Sequence, residues 1–423
     1  MMVDAIDNDA VDALGEEILD WRFKAIPASA HGSTVREQAR ARRPLDDFGT
    51  PLLTLDAGAL DHNVRLMAEW TRAAGVELAP HGKTTMAPQL WRRQLDAGAW
   101  GITLANLPQV RVARAFGVRR VLLANSLLDE AGLAWLGGEL DHDPDFEFLS
   151  WVDSVRSVEL MDEALRAARA QRQVDVCVEL GGPHGRSGVR DEDDAVAVAE
   201  AVRKAPTLRL AGAGGYEGAL SHDASADGLA AVDAYLRRLA NLHDRLAYEV
   251  DAPVVTAGGS SFFDQVVDLL GGLDGRLVLR SGAYIAHDDG FYRNISPFAR
   301  PHTEATAGRL RSAIHGWGRV VSRPEAELAL LDAGKRDLPF DEGMPAPQLV
   351  RGPRGADAVA GARVTALNDQ HAFLRGADVD VGDVVRLGLS HPCTTFDKWT
   401  LIPVVDDADA ERPVVVDFVR TWF

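Results

Sequence analysis

The chain is 423 residues long, 46% hydrophobic, and carries 63 acidic against 45 basic side chains for a formal net charge of −18. That length accommodates one large core and a smaller satellite, since domains usually run to about 100–250 residues, and the acidic balance excludes nucleic acid and anionic membrane surfaces as expected partners. Two cysteines, Cys177 and Cys393, are too few for a disulfide framework, and no run approaches the roughly 18–20 apolar residues of a membrane span; with a start on Asp4, Asp7 and Asp9 in place of a basic signal region, the expectation is a cytoplasmic protein.

Residues 1–45 read as an N-terminal arm. Across residues 46–296 short apolar strands alternate with amphipathic helices. The strands are VELAP near Val76, GITLA from Gly101, RVLLAN from Arg120, FEFLSWV from Phe146, VDVCVEL from Val174, LRLAGAG from Leu208, PVVTAGG from Pro253 and RLVLRSG from Arg276. Segments between them, such as DSVRSVELMDEALRAARAQ and GLAAVDAYLRRLANLHDRLAYE, repeat apolar residues every three or four positions, the spacing of helices packed on a sheet. Strand–helix units in this series predict an α/β fold with a parallel (β/α)8 TIM-type barrel. A further strand, PLLTLD from Pro51, precedes the series and has no slot in such a barrel. Residues 297–423 change to β-branched runs and turn residues, as in GRVVSRPEAELALLDAG and VGDVVRLGLSHPCTTFDKW, which predicts a C-terminal, mainly antiparallel β domain. The orphan strand at Pro51 is expected to join it.

In barrels of this kind chemistry collects where strands end. The first barrel strand runs into APHGKTTMAP, setting His81 and Lys83 at the rim. A lysine there is either a solvated loop residue or a Schiff-base amine, which needs a desolvated site to lower its pKa. The fifth strand leads to GGPHGRSGV and Arg186, for which a surface ion pair and an inward role both stand open. After the sixth come Tyr216 and His222, where a buried tyrosine with a satisfied hydroxyl is the alternative to a catalytic one. The seventh ends in TAGGSS, and a glycine-rich turn entering a helix, here Gly258, Gly259 and Ser260, is a ready anion site. The eighth leads to SGAY and Tyr284. Thr103, Asn106 and Gln109 follow the second strand as candidate lining residues. Outside the barrel lies LSHPCTTFDKW; residues i and i+2 of an extended chain share a side, so His391 and Cys393 can offer imidazole and thiolate to one cation, although His-x-Cys alone is a weak metal signal.

The string TPLLTLDAGALDHNV, followed by a strand and PHGKTTMAP, resembles the cofactor-lysine region of the fold-type III pyridoxal-phosphate enzymes, in the branch of D-serine dehydratase and D-threonine aldolase. The likeness runs from Thr50 to the C-terminus and includes the order of parts, a barrel followed by a β domain. It implies that Lys83 carries pyridoxal 5'-phosphate as a Schiff base and takes the Cα proton. Arg186, in GGPHGRSGV where the family has a Gly-x-x-Arg-x-Gly turn, would face the cofactor's ring oxygen, and Tyr216 the reacting carbons. Gly258, Gly259 and Ser260 would hold the phosphate, with Tyr284 adding a hydroxyl. His391 and Cys393 would hold a divalent metal, zinc ahead of manganese. The implied substrate is a small D-β-hydroxy amino acid, and the implied assembly is a head-to-tail homodimer. Between the branch's reactions, dehydration to a 2-oxo acid and ammonia is preferred over retro-aldol cleavage, because the aldolases more often place an aspartate where this chain has Cys393. A racemase is disfavoured because no tyrosine follows Tyr292, and a non-catalytic pyridoxal-phosphate carrier because such proteins lack the β domain.

Overall fold

The computed structural model describes residues 5–183, 185–300, 308–352 and 354–423. The first strand, β1 (Leu52–Asp56), precedes the barrel, whose strands are β2 (Glu77–Leu78), β3 (Ile102–Leu104), β4 (Arg120–Leu123), β5 (Glu147–Val152), β6 (Val174–Leu180), β7 (Leu208–Gly215), β8 (Val254–Ala257) and β9 (Arg276–Leu279). These eight pair in parallel in the order β2-β9-β8-β7-β6-β5-β4-β3, and each coincides with one of the strands expected from the apolar runs. The ring closes between β2 and β3 by backbone bonds from Trp100 N to Leu78 O (2.7 Å) and Thr103 N to Pro80 O (2.9 Å). Strand β6 shows why a nearly continuous apolar run suits a barrel: Val174, Val176, Val178 and Leu180 face the helical layer, while Cys177 points inward to Trp151, Leu122 and Ala211.

The helix Ala57–Ala74 illustrates how an outer element is set. Asp56 Oδ1 caps it by accepting from Ala59 N (2.6 Å), Gly75 ends it at φ 68, and Leu60, Asn63, Val64, Met67 and Thr71 form its buried stripe. On that stripe the amide of Asn63 donates to Ile285 O (3.1 Å) and Arg311 O (2.7 Å), tying the helix to the chain that leaves the barrel.

The second sheet is built on β10 (Ile314–Glu325), with β11 (Leu328–Leu331), β12 (Ala346–Val350), β13 (Arg363–Leu367), β14 (Ala372–Arg375), β15 (Val384–Gly388), β16 (Leu401–Val405) and β17 (Val415–Arg420). Strand β1 lies between β10 and β16, antiparallel to the first and parallel to the second; the other pairings in this sheet are antiparallel. The N-terminal arm also belongs here. Leu19, Phe23, Val35, Leu45 and Phe48 pack with Leu52, Trp317, Leu401 and Phe418 in one core, so the β domain is assembled from both ends of the chain. Among the described residues no helix is long and apolar enough to cross a membrane.

The two domains meet at the barrel mouth. The loop after β9 is bonded to the segment after β15 by Asp289 N to Leu389 O (2.9 Å) and Phe291 N to Ser390 O (3.3 Å). That junction brings residues 390–396 over the C-terminal ends of the barrel strands.

Candidate active site

One wall of the mouth comes from the barrel. Lys83 sits on a single 3-10 turn, Gly82–Thr84, and only glycine fits before it, because a Cβ at Gly82 would lie 2.8 Å from Trp91 Nε1 and from Ile102 Cγ2. Burial lowers the Lys83 pKa from the ordinary lysine value; Arg186 and Arg280 act in the same direction, and Cys393 acts against them. His81 is held well below its ordinary value by burial and then by Lys83, Arg280 and Arg186, and its Nδ1 is buried with no hydrogen-bond partner among the described residues. Two bases beside two guanidinium groups are thus biased toward neutrality.

Arg280 was not among the expected site residues. It is buried at 5% exposure, donates to Thr256 Oγ1 (2.7 Å) and Gly215 O (2.6 Å), and lies 5.4 Å from the centroid of Trp151. Burial works against its charge, with Glu217 and Glu179 among the neighbours that favour it. Arg186 reaches the same region from the loop after β6, its guanidinium carbon 5.1 Å from the Tyr216 ring centroid. That loop is laced by Arg190, which donates to the carbonyls of Ser187 (2.7 Å), Gly188 (2.6 Å) and Gly185 (2.6 Å). Gly188 is required there, since φ is +92° and a Cβ would stand 2.5 Å from Gly181 N. Tyr216 is 38% exposed as a residue, and desolvation at its hydroxyl, followed by the neighbouring Glu217, raises its pKa above the ordinary tyrosine value.

Several expected residues take other roles. The turn at Gly258–Ser260 is an anion site, but the anion in it is the protein's own: Glu217 accepts from Gly258 N (3.0 Å, Oε2) and Gly259 N (2.6 Å, Oε1), while Ser260 Oγ accepts from Ala283 N (3.3 Å). Two of the three amide-bearing residues assigned to the phosphate are therefore engaged by a buried carboxylate that sequence reading passed over. Tyr284 points away. The 3-10 turn Ala283–Ile285 carries it into a cavity of about 290 Å³ between the helices flanking β2, where it pairs with Gln94. Thr103 Oγ1 donates to Ala79 O (2.7 Å) in the barrel seam, and Asn106 caps the next helix by accepting from Gln109 N (3.1 Å), with Gln109 accepting from Ala105 N (2.8 Å). These three shape the backbone. His222 lies at the outer rim, in a separate cleft with Asp223 and Glu342.

The opposite wall comes from the β domain. His391 and Cys393 are not on an extended strand: Pro392 is in the αR region (φ −59, ψ −39) and Cys393 opens a short helix, Cys393–Phe396. The turn nonetheless keeps the two side chains close enough for Cys393 to be the strongest influence favouring charge on His391. Asp341, from the segment between β11 and β12, clamps both flanks of the pair, accepting from His391 Nδ1 (2.7 Å) on one oxygen and from Thr394 Oγ1 (2.7 Å) on the other. Burial opposes a charge on His391, but Cys393 and Asp341 outweigh it and push the pKa up to about 9. Tyr292 lies with its ring 6.4 Å from that of His391; burial and then Cys393 and Tyr216 keep its hydroxyl protonated. The walls touch where Thr84 Oγ1 lies 3.4 Å from Cys393 Sγ, one residue from Lys83.

The chemistry of these side chains fits two groups. A desolvated lysine amine beside two guanidinium groups, with an unpartnered buried imidazole nitrogen, suits a carbonyl cofactor bearing negative charge. His391 and Cys393 suit a divalent ion with open positions, the imidazole oriented by Asp341. Among the described residues no cluster of three His, Cys, Asp or Glu side chains is placed to hold a metal, so an ion on this pair would have His391 and Cys393 as its protein donors.

A barrel lysine facing a β-domain wall defines the class, and comparison with known proteins agrees. The alanine racemase N-terminal domain family matches residues 55–266 and a D-serine dehydratase-like domain matches residues 313–405. The chain belongs to the fold-type III pyridoxal-phosphate enzymes, and it is an enzyme of the pyridoxal-phosphate-dependent lyase type. It is 28% identical to D-threonine aldolase of Arthrobacter sp over 386 residues, which is 90% of this chain and 95% of that protein. The crystal structure of D-threonine aldolase from Filomicrobium marinum superposes with a TM-score of 0.75 at 27% identity, over 90% of this chain and 97% of the other. D-threo-3-hydroxyaspartate dehydratase from Delftia sp. shares the fold at 21% identity, with a TM-score of 0.67 over 88% of this chain and 97% of that one.

Proposed function

We propose that the protein dehydrates D-β-hydroxy amino acids such as D-serine or D-threonine, releasing a 2-oxo acid and ammonia. The observation that carries this reading is the meeting of the two walls, a depressed lysine amine one residue from Thr84 and a thiol 3.4 Å from the Thr84 hydroxyl. Bound on Lys83, pyridoxal phosphate supplies an electron sink for a bond broken at Cα. The lowered pKa of Lys83 favours the neutral amine, the form that accepts the Cα proton. Arg186 and Arg280 provide the positive field for the cofactor's oxygens and for the substrate carboxylate. Tyr216 and Tyr292 both retain their hydroxyl protons, and either can donate one to a departing oxygen between the walls. A metal on His391 and Cys393 would supply Lewis acidity to a poor leaving group, and thiolate favours zinc over harder ions. The working form is a head-to-tail homodimer in the cytoplasm, supported by the family likeness and by two free cysteines.

Retro-aldol cleavage is the second reading, favoured by the 28% identity to an aldolase along 90% of the chain. Pure enzyme incubated with D-threonine and divalent metal separates them. 2-Oxobutyrate is the expected product; glycine and acetaldehyde in its place would overturn the dehydratase assignment and leave the lyase class standing.

A further inference from the structure

We infer that the β domain carries a second ligand site, apart from Lys83, that takes a small oxyanion, either phosphate or carboxylate. The site is a cavity of about 250 Å³ where the end of the N-terminal arm meets β10 and β15, lined by Asp46, Phe48, Thr50, Trp317, Arg319 and Arg351 among others.

Arg351 carries the inference. Its side chain is 16% exposed and its guanidinium carbon lies 4.5 Å from the centroid of Trp317. Nη1 donates to Asp46 Oδ1 at 2.5 Å, whereas Nε and Nη2 are buried and have no hydrogen-bond partner among the described residues. Those two nitrogens form one edge of the guanidinium, the fork that grips a carboxylate or phosphate through two parallel bonds. The same edge is filled elsewhere in this molecule. Arg209 holds Asp175 through Nε (2.6 Å) and Nη2 (2.9 Å), and Arg120 holds Glu147 through Nε (2.5 Å) and Nη2 (2.6 Å). In Arg351 the fork is equally intact and more deeply buried, and the residue lines the cavity.

Buried donors in native proteins are matched by a protein group, a water or an ion, because leaving one unmatched forfeits its hydration. The nearby acids do not provide the match. Asp46 is on Nη1, and Asp332 accepts from Thr50 Oγ1 (2.6 Å) and from Arg319 N (2.7 Å). Arg319, whose Nη1 donates to Gly382 O (2.8 Å), adds a second positive charge that works against that of Arg351. An oxyanion in the cavity, met by a turn of the Arg351 side chain that opens its buried edge, would fill the fork and relieve the repulsion between the two guanidinium groups. Val384 lines the cavity at the start of β15, and His391 lies beyond the end of that strand at Gly388. At about 3.3 Å per residue the two sites are on the order of 20 Å apart.

The test is calorimetric titration of the holoenzyme, whose cofactor site is already filled, with inorganic phosphate and separately with citrate, using sodium chloride as the ionic-strength control. One saturable equivalent for phosphate, citrate or both is expected below about 10 mM, and the preferred titrant names the ligand chemistry. Arg351→Lys keeps the charge and removes the fork, and should weaken binding about tenfold or more. Asp46→Asn, at the exposed edge, should leave the fork intact and preserve or tighten binding. Absence of saturable heat with either anion would mean that water alone fills the cavity, and unchanged affinity in Arg351→Lys would place any bound anion elsewhere; both outcomes overturn the inference.

Discussion

The two walls of the active site are held in different ways. On the barrel side Arg280 is fixed by a carbonyl and a buried hydroxyl from neighbouring strands, and Arg186 is aimed by a loop that Arg190 stitches through three backbone carbonyls. On the β-domain side His391 and Cys393 ride on a short turn whose orientation depends on Asp341 and its two side-chain bonds. The electrostatics divide along the same line. Burial, helped by the guanidinium groups, favours neutral Lys83 and His81, while Cys393 and then Asp341 favour a protonated His391 against the effect of its burial. In the proposed reaction the more heavily bonded barrel wall would govern proton transfer, and the β-domain wall, held through Asp341, would govern how the leaving oxygen is handled.

The largest effect tests the barrel wall. Lys83→Ala should lower turnover about a thousandfold or more, as expected when nucleophile and base are removed together, with little change in melting temperature because Lys83 adds no apolar packing to the barrel core. Borohydride reduction of the holoenzyme followed by peptide mapping should label Lys83; a label on another lysine would break the assignment. Next comes the β-domain wall. Chelation, or Cys393→Ala, should cut turnover roughly a hundredfold while cofactor absorbance survives, if Lewis acidity is its contribution. Cys393→Asp assayed with manganese should recover part of the loss, since a carboxylate suits the harder ion. Full-rate turnover by enzyme shown by elemental analysis to hold no metal would remove that role from the pair.

This division also explains what could be read in the chain beforehand. The barrel strands are legible because each is a short apolar run whose alternate residues are buried on different sides, as Val176 and Cys177 are. Lys83 is legible from a local string. Arg280 is not, because an arginine closing RLVLR looks like a strand-end surface residue, and its burial depends on Thr256, Gly215 and Glu217 from two other strand ends. Asp341 lies 50 residues from His391 in a segment with no periodic signal, so their contact is visible only in three dimensions. For the His391–Cys393 geometry the warning was present: a proline between the two fixes φ near −65° and argues against an uninterrupted strand, as the observed φ of −59° at Pro392 shows. Tyr284 was misplaced because strand-end position alone does not say which way a 3-10 turn will rotate the next side chain.

A smaller effect sharpens the picture of the clamp. Asp341→Asn keeps the size of the side chain and weakens its hold on His391 Nδ1. It should reduce metal affinity by about 10- to 100-fold, the usual cost of losing a carboxylate behind a ligating histidine. Metal content after dialysis against a graded competitor measures this without reference to turnover. Unchanged affinity would show that the turn after β15 holds its own shape, and the contrast between the walls would disappear.

The finest test concerns Asp288, on the loop that joins the walls. One of its oxygens accepts from the backbone amides of Gly290 (3.1 Å), Tyr292 (2.9 Å) and Arg293 (3.3 Å), and the other is buried with no partner among the described residues. Burial raises its pKa from 3.8 to about 7, against the lowering effects of those amides and of His391. A folded carboxyl that keeps its proton until about pH 7, when the unfolded one releases it near 3.8, takes up a proton on folding between those values. Its contribution to stability is then complete below about 3.8 and is lost as pH rises through about 7, by at most about 4 kcal/mol if the whole shift is realised. Asp288→Asn preserves an acceptor for the three amides and places a donor where the unpartnered oxygen lies, but it cannot titrate. Relative to wild type, the variant should therefore gain stability between pH 5 and about pH 8, measured by chemical denaturation in chelator, because a cation on His391 would itself lower the Asp288 pKa. Parallel stability curves for the two proteins across that range would mean that Asp288 is already ionised at pH 5 and that the joint between the walls carries a fixed negative charge.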